Sequence, residues 1–115
     1  MSLNDNYDKY KKVNILSAGK IKSLQLLVEK ALAECRLAVA DRDKSAEILA
    51  NVRDIMVQLQ MALDLDNGDV PRNLFFLYDY IYECAEENTS ESLNKAVTIL
   101  KRIREMLLEI ERKKA

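Results

Sequence analysis

The sequence predicts an all-α protein, an antiparallel up-down-up-down four-helix bundle preceded by a short N-terminal arm. Apolar residues recur at helical spacing in four segments, and the connections between these segments are short, which makes neighbouring helices antiparallel. The 115 residues are 49% hydrophobic and 32% charged, with only two glycines and one proline. This composition is typical of amphipathic helices. We divide the chain into an arm, residues 1–16, and one bundle domain, residues 17–115.

The predicted arm carries apolar residues at irregular spacing. Tyr7, Tyr10, Val13 and Ile15 are separated by Asn and Lys residues, so the segment is too short and too irregular for a fifth core helix. Tyr7 and Tyr10 stand three residues apart and would share one face of a helical turn.

The first two helices are predicted from apolar seams with alternating spacings of three and four residues. The first seam consists of Ile21, Leu24, Val28, Ala31, Cys35 and Ala38. Asp41-Arg42-Asp43 ends this helix, and Asp43 is the predicted N-cap of the next. The second seam consists of Ile48, Val52, Ile55, Leu59 and Leu63.

The last two helices are predicted from residues typical of helix ends as well as from periodicity. Gly68 permits the turn that ends the second helix, Asp69 is the predicted cap of the third, and Pro71 suits its first turn. Asn88 and Glu91 are predicted to form the capping box of the fourth helix. The third and fourth seams consist of Leu74, Leu77, Tyr78, Ile81 and Ala85, and of Leu93, Ala96, Leu100, Ile103, Leu107 and Ile110.

The charge distribution excludes several kinds of partner. The formal net charge is -1, so the chain lacks the basic field that non-specific nucleic-acid binding requires. Acidic residues concentrate between residues 64 and 91, where eight of them accompany a single basic residue, Arg72. No apolar run is long enough for membrane insertion, and the N-terminus carries no secretion signal. We therefore expect a cytoplasmic protein that binds neither nucleic acid nor a membrane.

The residues needed for most catalytic and metal sites are missing. The chain has no histidine, which excludes phosphorelay bundles and ferritin-like di-iron sites. Cys35 and Cys84 are isolated and lie within helical patterns, where a free cysteine packs as a small hydrophobe. We expect no enzyme, no catalytic residues, no metal and no cofactor. A helical enzyme built from buried Arg, Lys or Glu is the remaining enzymatic alternative, and it predicts a pocket where such side chains converge.

Aromatic residues cluster in the predicted third helix. Phe75, Phe76, Tyr78, Tyr80 and Tyr82 fall within eight positions, and at 100° per residue they cannot all face one core. Two interpretations remain open. Either some of these rings form an exposed interaction surface, or Phe75, Tyr78 and Tyr82 pack between the bundle and the arm.

Three motifs in this sequence resemble those of the FliS family of flagellar chaperones. They are Tyr7-Asp8-Lys9-Tyr10, Leu63-Asp64 followed by Gly68, and Asn73-Leu74-Phe75-Phe76-Leu77-Tyr78-Asp79-Tyr80. Their order and spacing agree with the family over nearly the whole chain. The sequence departs from the family in the first helix, because Ile15-Leu16-Ser17-Ala18-Gly19 and Leu26-Leu27-Val28-Glu29 lack the usual proline, tyrosine and glycine.

The resemblance implies an export chaperone that binds the disordered C-terminal segment of flagellin and prevents its premature polymerisation. It implies that the client folds as it binds, laying apolar faces into grooves of the bundle, and that the arm covers such a groove in the free protein. Other flagellar export components are possible further partners. The residues expected to contact the client are Tyr7, Tyr10, Asn73, Leu77, Tyr78, Ile81 and Tyr82.

A different class of function is compatible with the same aromatic helix. The alternative is a helical dimerisation or adaptor domain that binds another protein through this surface. The two readings differ in oligomeric state, since the chaperone is expected to be a monomer or a weak homodimer, whereas the adaptor would form a stable dimer that masks its third helix.

Overall fold

The computed structural model describes residues 18–114, which form four helices. Helix α1 spans Ala18–Ala40, α2 spans Ser45–Met61, α3 spans Asp69–Glu87 and α4 spans Ser90–Lys114. One turn of 3-10 helix, Arg42–Lys44, joins α1 to α2, and no strand occurs in this part of the chain. The predicted all-α four-helix architecture is confirmed. The predicted arm, with Tyr7 and Tyr10, lies outside the described residues, so the division of the chain at residue 16 stays a prediction.

Each helix packs against two neighbours. Helix α1 packs on α2 and α4, and α3 also packs on α2 and α4, so α1 and α3 lie diagonally across the bundle. The short turns make neighbouring helices antiparallel. Successive helices around the single core therefore run in opposite directions.

The core is built from the predicted seams, with one exception. Val28, Leu49, Met56 and Leu100 are fully buried, and nearly all the other predicted seam residues are buried or half-buried. Leu77 differs, because its side chain is 38% exposed although it was placed on the seam of α3. This leucine lies at the edge of the apolar stripe, where helical periodicity does not separate core from surface.

The turn between α3 and α4 uses a different cap from the predicted one. Asn88 does not cap α4 but ends α3 in the left-handed conformation, with φ 52° and ψ 47°. The Ser92 backbone N–H donates to Thr89 Oγ1 at 2.9 Å, and the Thr89 N–H donates to Ser92 Oγ at 3.0 Å. Thr89 and Ser92 therefore form the capping pair of α4. Asn88 precedes this pair in the left-handed conformation, which Asn tolerates better than most residues.

The caps predicted for α2 and α3 are also displaced. Asp41, not Asp43, accepts a hydrogen bond from the Lys44 N–H, at 3.4 Å, and so caps the 3-10 turn. Gly68 occupies the N-cap position of α3 and Asp69 is the first helical residue. Gly68 has φ 98° and ψ -161°, a conformation that residues with a Cβ rarely adopt, which explains the glycine at this turn.

One end of the bundle is closed by hydrogen bonds between its two turns. Asn88 Nδ2 donates to Ser45 Oγ at 3.0 Å, and Ser45 Oγ donates to the Arg42 carbonyl at 2.8 Å. The Arg42 guanidinium donates in turn to the Asn88 carbonyl. Ser92 Oγ donates to the Cys84 carbonyl at 2.9 Å. These bonds tie the α1–α2 turn to the α3–α4 turn and stabilise that end of the molecule.

Candidate partner-binding cleft and helix face

Among residues 18–114, the opposite end of the bundle is open and contains an apolar cleft of about 230 Å³. It lies where the N-termini of α1 and α3 meet the C-termini of α2 and α4. Its walls are mainly aliphatic, and its polar residues are Lys20, Asp64 and Asn67. The apolar lining residues are Ile21, Leu24, Leu59, Ala62, Leu63, Val70, Pro71, Leu74, Tyr78, Met106, Leu107 and Ile110.

A cavity of this size is unusual in a packed bundle. Protein interiors contain few voids larger than a water molecule, and unfilled apolar volume destabilises the fold. Among the described residues, the charged ones that line the cleft are Lys20 and Asp64, and no cluster of Arg, Lys and Glu side chains converges there. The apolar walls suit an apolar occupant.

The rim of the cleft is held in place by the loop between α2 and α3. The Asp66 N–H donates to Asp64 Oδ1 at 3.2 Å, and the Asn67 N–H donates to the Asp64 carbonyl at 3.1 Å. Arg72 Nε, in the first turns of α3, donates to the Leu65 carbonyl at 3.1 Å. These hydrogen bonds link the loop to α3 at the rim of the cleft.

Among the described residues, Tyr78 is the aromatic residue that lines the cleft. Its side chain is only 4% exposed, and burial raises the pKa of its hydroxyl to about 12. The phenol is thus neutral at physiological pH and adds no charge to the cleft wall. A neutral hydroxyl on an apolar wall offers one polar contact to an occupant.

The outer surface of α3 next to the cleft is apolar. We call this surface the α3 patch, and it consists of Val70, Phe76, Leu77 and Tyr80, which are between 38% and 68% exposed. The rings of Phe75 and Phe76 meet edge to face with centroids 6.1 Å apart. Gln60 Nε2 donates to the Phe75 carbonyl at 3.1 Å and so fixes this part of α3 against α2.

The α3 patch is bordered by acidic side chains. Asp79, Glu83 and Glu87 are exposed on the same helix. On α4, the Lys95 ammonium has its pKa raised, first by Tyr80 and then by Glu91, with which it forms an ion pair at 3.5 Å. An apolar strip with a mostly acidic border is suited to an amphipathic segment with basic residues along its edges.

The five clustered aromatic residues divide among environments, as helical geometry requires. Tyr78 is buried, Phe75 and Tyr82 are half-buried, and Phe76 and Tyr80 are exposed. The exposed pair gives the helix an apolar surface that its own core does not use.

The predicted contact residues fall in four different settings. Asn73 and Leu77 are exposed on α3, Tyr82 is half-buried, and Tyr78 lines the cleft. Ile81 is fully buried in the core, so it supports the site from behind and offers no surface to a partner in this conformation. The structure brings Leu77 beside the cleft wall of Leu74 and Tyr78.

Several residues of this site are not among the contact residues predicted from the sequence. Val70 and Phe76 are exposed beside the cleft, and Met106 and Ile110 of α4 line it. Phe76 belonged to the aromatic cluster, and its position outside the apolar seam of α3 was the signal that it faces solvent. Ile110 was assigned to the core because seam periodicity does not reveal where helix ends diverge.

Two further properties concern the described residues only. No helix among them is long and apolar enough to cross a membrane. Within the same range, no group of three or more His, Cys, Asp or Glu side chains is placed to hold a metal ion.

Comparison with known proteins identifies a family. Residues 3–113 match the family model described as flagellar protein FliS. No curated protein and no solved structure matches the chain. The match covers nearly the whole sequence and includes both the cleft and the α3 patch, and on this basis the chain belongs to the FliS family, a family of flagellar export chaperones.

Proposed function

We propose that this protein binds the C-terminal segment of flagellin in the cytosol and holds it unpolymerised until export. The observation that supports this most directly is the open apolar cleft beside the exposed α3 patch. A packed bundle has no structural use for either feature, whereas a chaperone for a disordered segment needs both. The client segment folds into amphipathic helix as it binds and loses the apolar face through which it would polymerise.

The energetics of coupled folding and binding require that more than one client side chain be buried. Ordering a disordered segment costs about 2–5 kcal/mol of the interaction energy. Burial of one large aliphatic or aromatic side chain contributes about 1.5–3 kcal/mol. Several client side chains must therefore be buried at once, in the cleft and along Val70, Phe76, Leu77 and Tyr80. Asn73 is exposed on the same helix, and we propose that it hydrogen-bonds the client backbone.

The arm is proposed to occupy the cleft in the free protein. The arm, residues 1–16, leads into α1, which begins at Ala18, close to the cleft residues Lys20 and Ile21. The chain from Tyr7 to Ala18 can extend about 36 Å at ~3.3 Å per residue, which is ample reach. A tethered segment competes at an effective concentration in the millimolar range. Deleting residues 1–12 is expected to raise client affinity several-fold, and an unchanged affinity would argue against this role of Tyr7 and Tyr10.

Calorimetry with a peptide of the flagellin C-terminal segment tests the main proposal. The wild-type chain is expected to bind with a negative heat-capacity change and a gain of helicity, because apolar surface is buried as the peptide folds. Phe76→Ser is expected to weaken binding at least tenfold. Leu26→Ser is the matched control, since Leu26 is 69% exposed and Phe76 is 68% exposed.

Two results would contradict the proposal. The first is an absence of peptide binding by the folded chain. The second is a stable homodimer in which the α3 patch is protected from solvent, because this would favour a dimerisation or adaptor domain that uses Phe76 and Tyr80 for self-association. Sedimentation of the Phe76→Ser variant distinguishes the chaperone from the adaptor, since only a dimer formed through the α3 patch would dissociate.

A further inference from the structure

The outer side of α1 carries a line of exposed apolar and basic residues. Its members stand three or four positions apart, so they share one side of the helix, opposite the seam that faces the core. Leu26 is 69% exposed and Leu37 is 51% exposed. We call this line the outer α1 stripe, and it consists of Lys22, Leu26, Lys30, Ala33, Leu37 and Ala40.

The outer α1 stripe differs from the outer side of the neighbouring helix α4. Helix α1 packs on α2 and α4 through its other sides. An amphipathic helix at a protein surface normally turns polar residues to the solvent. Helix α4 follows this rule, because its outer residues Asn94, Thr98, Glu105 and Arg112 are polar and exposed. Helix α1 instead has two apolar sides, of which the bundle covers one.

A third leucine lies beside the stripe, on α4. Leu108 is 42% exposed. Arg104 Nη1, one turn before Leu108, lies 3.6 Å from Oε1 of Glu29 on α1. Because the two helices are antiparallel, this ion pair places Leu108 level with Leu26, one turn before Glu29. The exposed apolar surface therefore extends from the stripe onto the adjacent edge of α4.

Charge is divided unevenly between the two halves of the bundle. Residues 45–89, which contain α2 and α3, include nine acidic and two basic residues. Helix α1 has four basic and two acidic residues, and α4 has seven basic and four acidic ones. Lys30 and Arg36 of α1 are exposed and form no ion pair with any of residues 18–114. The outer α1 stripe thus belongs to a basic half, and the α3 patch belongs to an acidic half.

Leucines and lysines on the convex side of a helix suit a lipid surface. A helix that lies on a membrane buries its apolar side at the boundary of headgroups and acyl chains, while Lys and Arg side chains reach the phosphates. Protein interfaces are instead rich in aromatic residues at their centre. Helices α1 and α4 contain no aromatic residue. The chemistry of this surface therefore favours anionic lipid over a second protein.

We propose that the outer α1 stripe binds the surface of a membrane that contains anionic phospholipid, with α1 parallel to that surface. Leu26 and Leu37 enter the headgroup region, and Lys30 and Arg36 contact phosphate groups. Surface binding needs no apolar run of the length that insertion requires. The net charge of -1 does not oppose it, because screening over about 10 Å at 0.1 M salt leaves the nearest charges dominant.

The division of charge also fixes the orientation of the bundle on the lipid. Helix α3 lies diagonally across the bundle from α1, so the α3 patch points away from the surface that α1 contacts. The acidic half is repelled by the same headgroups that attract the basic half. The α3 patch stays accessible to a client in this orientation. The inference does not depend on the proposed function.

Flotation of the full chain with lipid vesicles tests this inference. Vesicles of phosphatidylglycerol and phosphatidylcholine in equal parts are expected to bind the chain at millimolar lipid. Vesicles of phosphatidylcholine alone are expected to bind it at least tenfold more weakly. Raising the salt concentration from about 0.05 M to about 0.5 M is expected to release the chain, because it shortens the range of the attraction.

Two leucine substitutions test the apolar part of the contact. Leu26→Ser with Leu37→Ser is expected to weaken vesicle binding at least fivefold, while binding of the flagellin peptide persists. Val57→Ser with Met61→Ser is the matched control on α2, since Val57 is 41% exposed and Met61 is 81% exposed. The control pair is expected to leave vesicle binding unchanged.

Two charge reversals separate the local contact from an effect of net charge. Lys30→Glu with Arg36→Glu is expected to weaken binding to the anionic vesicles at least tenfold. Lys95→Glu with Arg102→Glu changes the net charge equally, on the side of α4 where Lys95 adjoins Tyr80 of α3. This second pair is expected to weaken vesicle binding by less than threefold.

A fluorescent label reports the orientation of the bundle. Cys35 and Cys84 are buried, so the variants Leu26→Cys and Met61→Cys each offer one exposed thiol among the described residues. A polarity-sensitive dye attached to the Leu26→Cys variant is expected to shift its emission to the blue on anionic vesicles. The same dye attached to the Met61→Cys variant is expected to show no shift.

Three results would overturn the inference. One is an absence of binding to the anionic vesicles at low salt, and another is vesicle binding that the Leu26/Leu37 and Lys30/Arg36 variants retain in full. The third is a full chain that binds vesicles only after residues 1–16 are removed, because the arm, and not lipid, would then cover the stripe. Vesicle binding by a chain that does not bind the flagellin peptide would support this inference and contradict the proposed function alone.

Discussion

At the scale of single residues, Gln25 is a polar side chain in an apolar seam. It is 8% exposed, and its Nε2 atom has no hydrogen-bond partner among residues 18–114. A buried unsatisfied donor costs about 1–3 kcal/mol. Gln25→Met keeps the length of the side chain and removes the amide, so we expect the free energy of unfolding to rise by about 1 kcal/mol in urea denaturation. Gln58→Met, on the exposed side of α2, is expected to change it little, and a loss of stability on Gln25→Met would show that the amide is satisfied in solution.

Two buried ionisable groups of the core, a thiol and a phenol, predict a loss of stability at high pH. Burial raises the pKa of the Cys35 thiol from 9.0 to about 12, and that of the Tyr78 hydroxyl from 10.0 to about 12. Above pH 9 the unfolded chain therefore loses protons that the folded chain retains, and stability falls as the pH rises, by up to about 1.4 kcal/mol per pH unit for each group. Below pH 9 this contribution is fully present.

Urea denaturation at pH 8, 9, 10 and 10.5 measures this dependence. The Cys35→Ala variant is expected to start less stable than the wild type, because a buried sulfur is removed. It is expected to lose less stability between pH 9 and 10, because it lacks the Cys35 thiol that deprotonates in the unfolded chain over this interval. Equal slopes for the two proteins in this interval would show that the Cys35 thiol is not protected by burial.

At the scale of helices, the start of α4 depends on Thr89. Its side chain accepts from the Ser92 N–H, whereas Glu91 lies exposed and pairs with Lys95. Loss of an N-cap side chain costs about 0.5–2 kcal/mol. Thr89→Ala is expected to lower the free energy of unfolding by about 1 kcal/mol, and Glu91→Ala is expected to change it by less than about 0.5 kcal/mol. A larger loss of stability for Glu91→Ala than for Thr89→Ala in denaturant titrations would favour the capping box with Glu91 that the sequence predicts.

The sequence predicts those features that depend on a single segment of the chain, and it does not predict those that depend on several segments together. The four helices and their seams were predictable because apolar periodicity is a property of each segment alone. The cap of α4 was not, since Asn88, Thr89 and Ser90 all suit a cap, and the choice depends on Ser92 and on the left-handed backbone at Asn88. The cleft was not predictable either, because Ile110 and Met106 look like core residues until the positions of four helix ends are known.

At the scale of the whole molecule, the two ends of the bundle have different roles. The closed end is held by hydrogen bonds among Arg42, Ser45 and Asn88, and it maintains the alignment of the helices. Among residues 18–114, the open end leaves its apolar cleft unfilled, and apolar volume that the bundle's own side chains do not fill lowers stability. Function of this kind reduces stability, since the core cannot permanently fill a surface that a partner must occupy.

This trade-off predicts opposite effects of a single substitution on stability and on binding. Ala62 lines the cleft and is half-buried, so Ala62→Phe places a ring in the open volume of about 230 Å³. Thermal unfolding is expected to shift upward by a few degrees, because a ring buried in a cavity contributes about 1 kcal/mol or more. Affinity for the flagellin peptide is expected to fall at least tenfold. The control is Ala46→Phe, exposed near the closed end, which should alter neither quantity. A stabilised Ala62→Phe variant with unchanged peptide affinity would show that the client binds elsewhere on the bundle.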